Sequence, residues 1–233
     1  MKIELIDFMG DDLTVVNAAR VSFDKESQWE NITPAGPVEN LLTEKDTKLI
    51  KYLAKHNHFT PFTHCTITMR ETVPIFVARQ RFKHTIGFSY NEVSRRYVDD
   101  TPEFYMPKAW RAKADNAKQG SSEETIDINP VGNRAPPMVD IYKLAMQRSL
   151  WTYEELLRKG VCPEQARMVL PQSMYTSYYV TGSLYAWARA YNLRSDSHAQ
   201  KEIQEVADQW NRICIGRFPA SWSALTEENK YEG

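Results

Sequence analysis

The spacing of apolar residues changes along the chain, and this change constrains the fold more than any other feature of the sequence. Residues 1–8 and 65–70 alternate apolar with polar side chains, which is typical of half-buried strands. In the C-terminal half, apolar residues recur at helical spacing, notably over 138–159. Strands mainly in one half and helices mainly in the other predict an α+β fold, a mixed sheet with packed helices.

Capping residues and prolines predict where the helices begin. Asp11 or Asp12 suits the cap of a first helix, and the spacing of Thr43 and Asp46 resembles a capping box. Pro74 suits the first turn of a helix. The expected helices are 13–19, 43–56, 74–84, 138–159, a short one from Pro163, and a last one from Asp196 to Cys214; residues 21–23 are expected to be extended and 58–64 to form a loop.

The length of the chain bounds its domain organisation. With 233 residues, 42% of them hydrophobic, it has enough apolar material for one large domain that buries about 70–75% of its unfolded surface. We therefore expect 1–233 to form a single domain. Residues 112–137 are rich in Ser, Gly, Asn, Asp and Lys and contain three prolines, which predicts a polar surface excursion.

Charge and hydropathy exclude several classes of protein. Lys and Arg number 29 against 30 Asp and Glu, so no global field attracts nucleic acid or an anionic membrane. The longest apolar run, 73–78, is six residues, far below the roughly 20 of a membrane span. The first residues lack the apolar region of a signal peptide, and three isolated cysteines suit a reducing compartment. We expect a cytoplasmic protein.

Two common kinds of ligand site are also unsupported by the sequence. None of the nine glycines lies in a G-x-G-x-x-G or G-x-x-x-x-G-K-[ST] pattern, so a Rossmann turn and a P-loop are excluded. His56, His58 and His64 lie within nine residues, but no acidic or cysteine ligand is placed beside them by an obvious helix. We expect them to mark a turn around Pro61, and no metal site.

The densest polar cluster is residues 79–97, which hold five Lys or Arg and one acid. On a helix ending near His84, the side chains of Gln80, Lys83 and His84 would share one face. The following loop adds hydroxyl, amide and guanidinium groups that suit a phosphate and a base edge: Ser89, Asn91, Ser94, Arg95 and Arg96. The segment therefore suits one nucleotide. The alternative is a solvated helix end held by salt bridges.

Two further arginines are candidates for an anion site. Arg167 lies among apolar residues before a helix-breaking proline, although Glu164 is placed to pair with it three residues earlier. Arg194 is expected just before a helix N-terminus, a position that favours anions. In the alternative, Asp196 only caps that helix and His198 is an ordinary first-turn residue.

Taken together, these segments resemble the flavin-dependent thymidylate synthases. The stretch 89–97, Ser-Tyr-Asn-Glu-Val-Ser-Arg-Arg-Tyr, agrees with the family signature at every position. Lys83-His84-Thr85 stands where the family has Arg-His-Arg, with one extra residue before Ser94. Similar pieces occur at 19–23, 58–64, 78–80, 166–171 and 192–200, so the resemblance covers most of residues 1–215.

The resemblance implies a catalytic α+β domain, a homotetramer with active sites shared between subunits, and methylation of dUMP to dTMP. Methylenetetrahydrofolate would supply the carbon, reduced FAD the hydride, and NADPH the electrons that reduce the flavin. No protein nucleophile is then needed. Arg194 would stabilise negative charge on the uracil. The implied dUMP contacts are Gln80, Lys83, Glu92, Ser94, Arg95, Arg96, Arg167 and Arg194, with Glu92 between dUMP and the flavin.

The implied FAD contacts are where this chain departs most from the family. They comprise Ser22, Thr60, Lys83, His84, Thr85, Glu92, Ser183, Tyr185 and Arg189. Thr63 replaces a usual Glu, while Ser183, Tyr185 and Arg189 replace the usual Asn, Arg and Asn at the nucleotide end of the flavin. Lys83 keeps a cation without the bidentate fork, and Thr85 loses the charge.

Two other functions remain open from the sequence. Basic and aromatic residues interleave over 79–97, which also suits a protein that binds RNA or single-stranded DNA, although the net charge of −1 disfavours it. Such a protein would be colourless and would lose affinity steeply with salt. The altered flavin contacts also fit a family member that kept the fold and lost flavin.

Overall fold

A computed structural model of the chain describes residues 1–30, 41–97, 101–113, 122, 124–128 and 136–226. Among these residues, no helix has the length and apolar character needed to cross a membrane. The described chain forms two compact units. The first comprises residues 1–2, 72–83 and 91–178, and the second comprises 3–71, 84–90 and 179 onward. The expectation of a single domain stays a prediction.

The main sheet has four strands in the order β1-β2-β6-β3. They are β1 (Lys2–Met9), β2 (Thr66–Pro74), β3 (Phe88–Glu92) and β6 (Tyr175–Ser183). Two short strands, β4 (Trp110–Arg111) and β5 (Thr125–Ile126), pair antiparallel in a second sheet. The combination of sheets and helices confirms the predicted α+β class.

Nine α-helices accompany the sheets in the described part of the chain. They are α1 (Asp12–Arg20), α2 (Glu44–Lys55), α3 (Thr60–Thr63), α4 (Ile75–Arg81), α5 (Met138–Arg158), α6 (Pro163–Ala166), α7 (Leu184–Arg194), α8 (Lys201–Ile215) and α9 (Pro219–Thr226). Short 3₁₀ turns lie at Val21–Phe23 and Arg167–Val169.

The predicted caps locate the first two helices. The Asp11 side chain accepts from the backbone N of Thr14 at 2.7 Å, and Thr14 returns the bond in a capping box. The Thr43 hydroxyl accepts from the backbone N of Asp46 at 3.0 Å. These bonds satisfy backbone N–H groups that have no partner within the helix, which fixes where α1 and α2 begin.

The second unit is built around three fully buried tryptophans from α7, α8 and α9: Trp187, Trp210 and Trp222. Trp187 packs edge-on against Trp210 with ring centroids 5.5 Å apart, and its Nε1 donates to the backbone O of Ile67 at 3.1 Å. That bond ties α7 to β2. The Asp12 carboxylate accepts from the backbone N of Ala220 and Ser221 at the start of α9, so the first helix caps the last.

The first unit packs aromatic rings around α4, α5 and the ends of β2 and β6. Phe82 lies 4.8 Å from Tyr178, and Trp110 meets Tyr142 of α5 edge-on at 5.3 Å. Backbone bonds from Ile75 to Met174 and from Phe76 to Gln172 hold the start of α4 beside the segment leading into β6. This packing positions the residues that follow β3.

Several local predictions were wrong. Residues 21–23 form a 3₁₀ turn instead of an extended piece, and the loop at 58–64 contains the short helix α3. The helix expected over 74–84 is shorter at both ends. It begins at Ile75 because β2 runs through Pro74, and it ends at Arg81, where the chain turns toward β3. The last predicted helix begins at Lys201, since the Asp196 carboxylate accepts from the backbone of His198 and caps no long helix.

The division of strands and helices between the halves was also too simple. Strand β6 comes from the C-terminal half and lies inside the sheet between β2 and β3, while β3 occupies part of what was expected to be loop. Ser89 and Asn91 therefore lie on a strand. Of the predicted polar excursion 112–137, residues 114–121, 123 and 129–135 lie outside the described residues.

Asp46 is the buried carboxylate on which the α1–α2 contact depends. It is 1% exposed and accepts from Arg20 Nε at 3.1 Å, Thr43 Oγ at 2.9 Å and Ser27 Oγ at 3.0 Å. Burial alone would raise the pKa of Asp46, but the bonds from Arg20, Thr43 and Ser27 together lower it below its usual value. Its stabilising effect is therefore present above the ordinary carboxyl pKa and lost as pH falls through the lowered one.

We expect Asp46→Asn to lower the free energy of unfolding at pH 7 by about 2–3 kcal/mol, because charged hydrogen bonds to a buried group are lost. The difference from wild type should shrink as pH falls below about 4. Urea unfolding at several pH values measures both. The control is Glu44→Gln in the same helix, where Glu44 is 83% exposed in its pair with Lys48 and should matter far less. Equal losses in the two variants would contradict the assignment.

Candidate functional site

A cleft of about 650 Å³ in the first unit gathers most of the predicted substrate residues. This volume suits a small-molecule ligand. Its charged lining comprises three arginines and two glutamates: Glu92, Arg95, Arg96, Glu164 and Arg167. Ser94 and Thr176 add hydroxyl groups, and the apolar lining includes Ile75, Met168, Leu170 and Met174. A net basic lining that also holds apolar side chains suits an anionic ligand with an apolar part.

The turn after β3 presents hydroxyl and guanidinium groups to this cleft. Ser94 Oγ accepts from the backbone N of Arg96 at 3.4 Å and from its Nε at 3.2 Å. Arg96 also lies 5.0 Å from the ring centroid of Tyr97 and 3.6 Å from the Glu164 carboxylate. The Arg96 guanidinium is thus held in one direction by three neighbours, while Val93 anchors the turn through a backbone bond to Ser177.

Arg167 does not pair with Glu164, contrary to the alternative that the sequence suggested. Glu164 faces Arg96 instead. The Arg167 side chain forms no ion pair or hydrogen bond with the residues that the structure describes. Arg167 begins the 3₁₀ turn after α6 and is exposed on the cleft. An unpaired guanidinium on the wall of a cleft is suited to a bidentate anion such as phosphate.

Glu92 is held by a residue that sequence reasoning missed. Thr176 Oγ donates to Glu92 Oε1 at 2.6 Å, and Thr176 is 6% exposed. Thr176 belongs to the buried face of β6, where every second residue from Thr176 to Gly182 points inward. That alternation was present in the sequence and could have indicated the strand. The Glu92 carboxylate therefore has a fixed position at the edge of the cleft.

Gln80 and Lys83 do not share a helix face with His84. Gln80 lies in α4, Lys83 follows the end of that helix, and His84 belongs to the second unit. Lys83 is exposed, and its backbone N donates to the O of Gln80. Gln80, Lys83 and Arg194 do not line the cleft, so five of the eight predicted dUMP contacts are brought together there.

Arg194 lies at the end of a helix, whereas the sequence predicted it before the start of one. It is the last residue of α7. At this end the helix dipole favours a cation, and the free backbone N–H groups that bind anions lie at the opposite end of the helix. Its Nε donates to His84 Nε2 at 2.9 Å, and both side chains are half-buried. The second unit thus holds Arg194 through His84.

The residues expected to contact the flavin nucleotide flank α7 in the second unit. Ser183 caps the helix by accepting from the backbone N of Ala186, and Tyr185 and Arg189 follow one turn apart. The Tyr185 ring stacks on Phe59 at 5.2 Å, which brings the start of α3 beside α7. Thr60, the first residue of α3, therefore lies close to this group.

The remaining expected flavin contacts are also accessible. Ser22 lies on the 3₁₀ turn after α1, Thr85 precedes β3, and both are exposed, as are Thr60 and Arg189. The expected flavin contacts in the second unit offer hydroxyls, an imidazole and a guanidinium, and none of these contacts is acidic. Thr63, which replaces a usual Glu, donates its hydroxyl to the backbone O of Thr60. This donor set is compatible with a pyrophosphate.

Comparison with known proteins identifies the family. The sequence profile of the family described as thymidylate synthase complementing protein matches residues 4–220. The chain belongs to this family. A flavin-dependent thymidylate synthase of Thermosipho africanus is 42% identical over 223 residues, covering 96% of this chain and 90% of that protein. One of Thermotoga neapolitana is 39% identical over 225 residues, covering 96% and 89%.

A solved structure agrees with this membership. The UMP/dUMP methylase PolB from Streptomyces cacaoi, bound with 5-Br dUMP, superposes with a TM-score of 0.75 at 29% sequence identity. The match covers 96% of this chain and 93% of PolB. The thymidylate synthase complementing protein fold therefore extends over nearly the whole chain.

Two of the three cysteines in this member of the thymidylate synthase complementing protein family, Cys65 and Cys214, lack the surroundings of a reactive thiolate. Burial, with the nearby charges of Asp11 and Asp12, raises the pKa of Cys65 to about 12. Burial also raises the pKa of Cys214 well above its usual value. Cys162 is exposed and precedes α6. Because both raised pKa values keep the thiols protonated at neutral pH, Cys65 and Cys214 are suited to packing.

We expect N-ethylmaleimide at pH 7.5 to label the native protein only at Cys162, because the other two thiols are buried and protonated. Peptide mass spectrometry counts the labels. Unfolding in guanidinium should expose all three cysteines to the reagent, which serves as the control for its reactivity. Labelling of Cys65 or Cys214 in the folded protein at the rate of Cys162 would contradict the burial and the raised pKa values.

Proposed function

We propose that this protein is a flavin-dependent thymidylate synthase that converts dUMP to dTMP. In this proposal methylenetetrahydrofolate donates the carbon, FAD is the flavin, and NADPH reduces it. The observation that carries the proposal is the cleft in which Arg167 and the Ser94–Arg96 turn lie together. Its chemistry suits a nucleotide monophosphate, and the family membership of the chain supplies the reaction.

In this proposal the cleft binds the nucleotide through its phosphate. Arg167 has its guanidinium available, and Arg96 is already directed by Ser94 and Tyr97, so little side-chain entropy is lost on binding. The Ser94 hydroxyl and Arg95 complete the donor set. The apolar residues of the lining then accommodate the ring, with Glu92 held at the edge by Thr176.

Arg194 supplies the positive charge for the reaction. As the uracil is activated, negative charge develops on its oxygen atoms, and a positioned guanidinium stabilises it. By analogy with oxyanion-hole donors, this effect is worth about 3–4 kcal/mol. Glu92 lies between the nucleotide and the flavin, and Gln80 and Lys83 add contacts to dUMP.

The residues of the second unit fit a flavin nucleotide. Reduced flavin, when bound, supplies a hydride to the uracil, so the protein needs no nucleophile. Ser22, Thr60, His84 and Thr85 offer polar contacts, and Arg189 offers a cation to the pyrophosphate. Ser183 is already engaged as a helix cap, and Tyr185 offers a ring, so the nucleotide end is held differently here from the usual Asn, Arg and Asn. The family resemblance adds Lys83 and Glu92 to the proposed flavin contacts.

Two other observations support the proposed assembly and location. Ile141, Leu144 and Trp151 form an exposed apolar face on α5, with Leu144 at 62% and Trp151 at 59% exposure. Such a face supports association with further copies of the chain, as a homotetramer with shared active sites requires. The free cysteines support a reducing cytoplasm.

No observation on the described residues favours the nucleic-acid-binding alternative or the loss of flavin.

The proposal is tested by incubating the purified protein with dUMP, methylenetetrahydrofolate, FAD and NADPH and detecting dTMP by mass spectrometry. A yellow protein that forms dTMP is expected. A variant with Cys65, Cys162 and Cys214 all replaced by Ala should still form dTMP at an equal folded fraction. A colourless protein that does not bind added FAD would contradict the proposal, as would complete loss of dTMP formation in a folded, flavin-loaded triple variant.

We expect Arg167→Ala to raise the KM for dUMP about 10- to 100-fold, because a charged hydrogen bond to phosphate contributes about 1.5–3 kcal/mol. Steady-state kinetics measures the effect. Arg158→Ala is the matched control, because Arg158 belongs to the same unit, pairs with Glu155 on α5 and does not line the cleft. An unchanged KM in folded Arg167→Ala would remove Arg167 from the phosphate site.

A further inference from the structure

The bond between Arg194 and His84 fixes the chemical state of the histidine ring. A guanidinium has N–H donors and no acceptor, so Arg194 Nε must donate and His84 Nε2 must accept across their 2.9 Å separation. An accepting ring nitrogen carries no proton. His84 is therefore the neutral tautomer with its proton on Nδ1.

The backbone that carries His84 is held at several points within the second unit. Tyr90 from β3 donates its hydroxyl to the backbone O of His84 at 2.6 Å. Gly87 has a φ of +79° and lies so close to α7 that a Cβ there would come within 2.8 Å of the Ala186 Cβ. The backbone O of Gly87 also accepts from the N of Ser183. The imidazole is thus attached to a rigid segment that packs on α7.

Arg194 needs such a support because of its position. Its long side chain has many rotamers, and at a helix C-terminus the backbone carbonyls attract the guanidinium. The bond to His84 engages Nε, the inner nitrogen, and so sets the plane of the guanidinium.

We infer that His84 is a positioning residue for Arg194: its neutral ring accepts from Nε and holds the guanidinium in one orientation. This inference rests on the proposed function, in which Arg194 acts on the uracil. It adds a second task to the flavin contact that the family resemblance gives to His84.

The test compares His84→Ala with His84→Gln. The Gln side chain reaches about as far as Nε2 and presents an acceptor oxygen, whereas Ala presents none. With FAD and dUMP saturating, His84→Ala should lower kcat about 10- to 100-fold, the loss of a hydrogen bond to a charged group. The KM for dUMP and the Kd of FAD should change less than kcat. His84→Gln should recover most of the rate.

His198→Ala is the matched control. His198 lies four residues beyond Arg194, is exposed, and contacts Asp196 instead of the arginine. Its removal should leave kcat unchanged. In an Arg194→Lys background, where the Nε donor is absent, His84→Ala should cost far less than in wild type, because coupled residues show non-additive effects.

A second readout does not depend on turnover. Long-range ¹H–¹⁵N spectra of ¹⁵N-labelled protein should show the His84 ring as the Nδ1–H tautomer at pH 7.5, with its signals shifted in Arg194→Lys. A ring protonated on Nε2 in the folded protein would overturn the inference.

The kinetic outcomes separate the inference from the proposed function. If wild type forms dTMP and His84→Ala keeps its kcat at saturating FAD while the Kd of FAD rises, His84 is only a flavin contact and the positioning inference is wrong. If wild type forms no dTMP, the proposed function fails and this inference fails with it. If His84→Ala does not fold, a kcat in His84→Gln as low as in Arg194→Ala would overturn the inference.

Discussion

The close contact between β6 and the start of β3 is the constraint on which the candidate site depends. At Gly182 a Cβ would overlap the ring of Phe88, so the two strands approach as they do only because the residue is glycine. Phe88 in turn packs edge-on against Trp187 at 5.1 Å, in the core of the second unit. This packing fixes the start of β3 within the second unit, close to His84.

The two ends of β3 serve different parts of the proposed reaction. Before the strand, His84 meets Arg194; at its end, Glu92 meets Thr176 and the chain enters the Ser94–Arg96 turn. Arg194 donates to an imidazole, and Glu92 accepts from a hydroxyl. Each of these two partners directs a charged side chain without itself carrying an opposite charge.

The sequence predicted the features that depend on local chemistry. Caps at Asp11 and Thr43, the stop at Gly160 and the motif around Ser94 all act within a few residues. Contacts between positions far apart in the sequence were not predicted. Thr176 lies 84 residues along the chain from Glu92, and Arg194 lies 110 residues from His84. Helix α7 escaped prediction for another reason. It is buried on several sides, so it lacks the polar face that reveals helical periodicity.

The central claim is that the cleft of the first unit holds the phosphate of a uridylate. A crystal structure of the protein with FAD and dUMP tests it most directly. The account predicts phosphate oxygens within hydrogen-bond distance of Arg167 and of the Ser94–Arg96 turn, with the uracil beside Glu92. A nucleotide bound elsewhere, with Arg167 and the turn making no contact to it, would contradict the account.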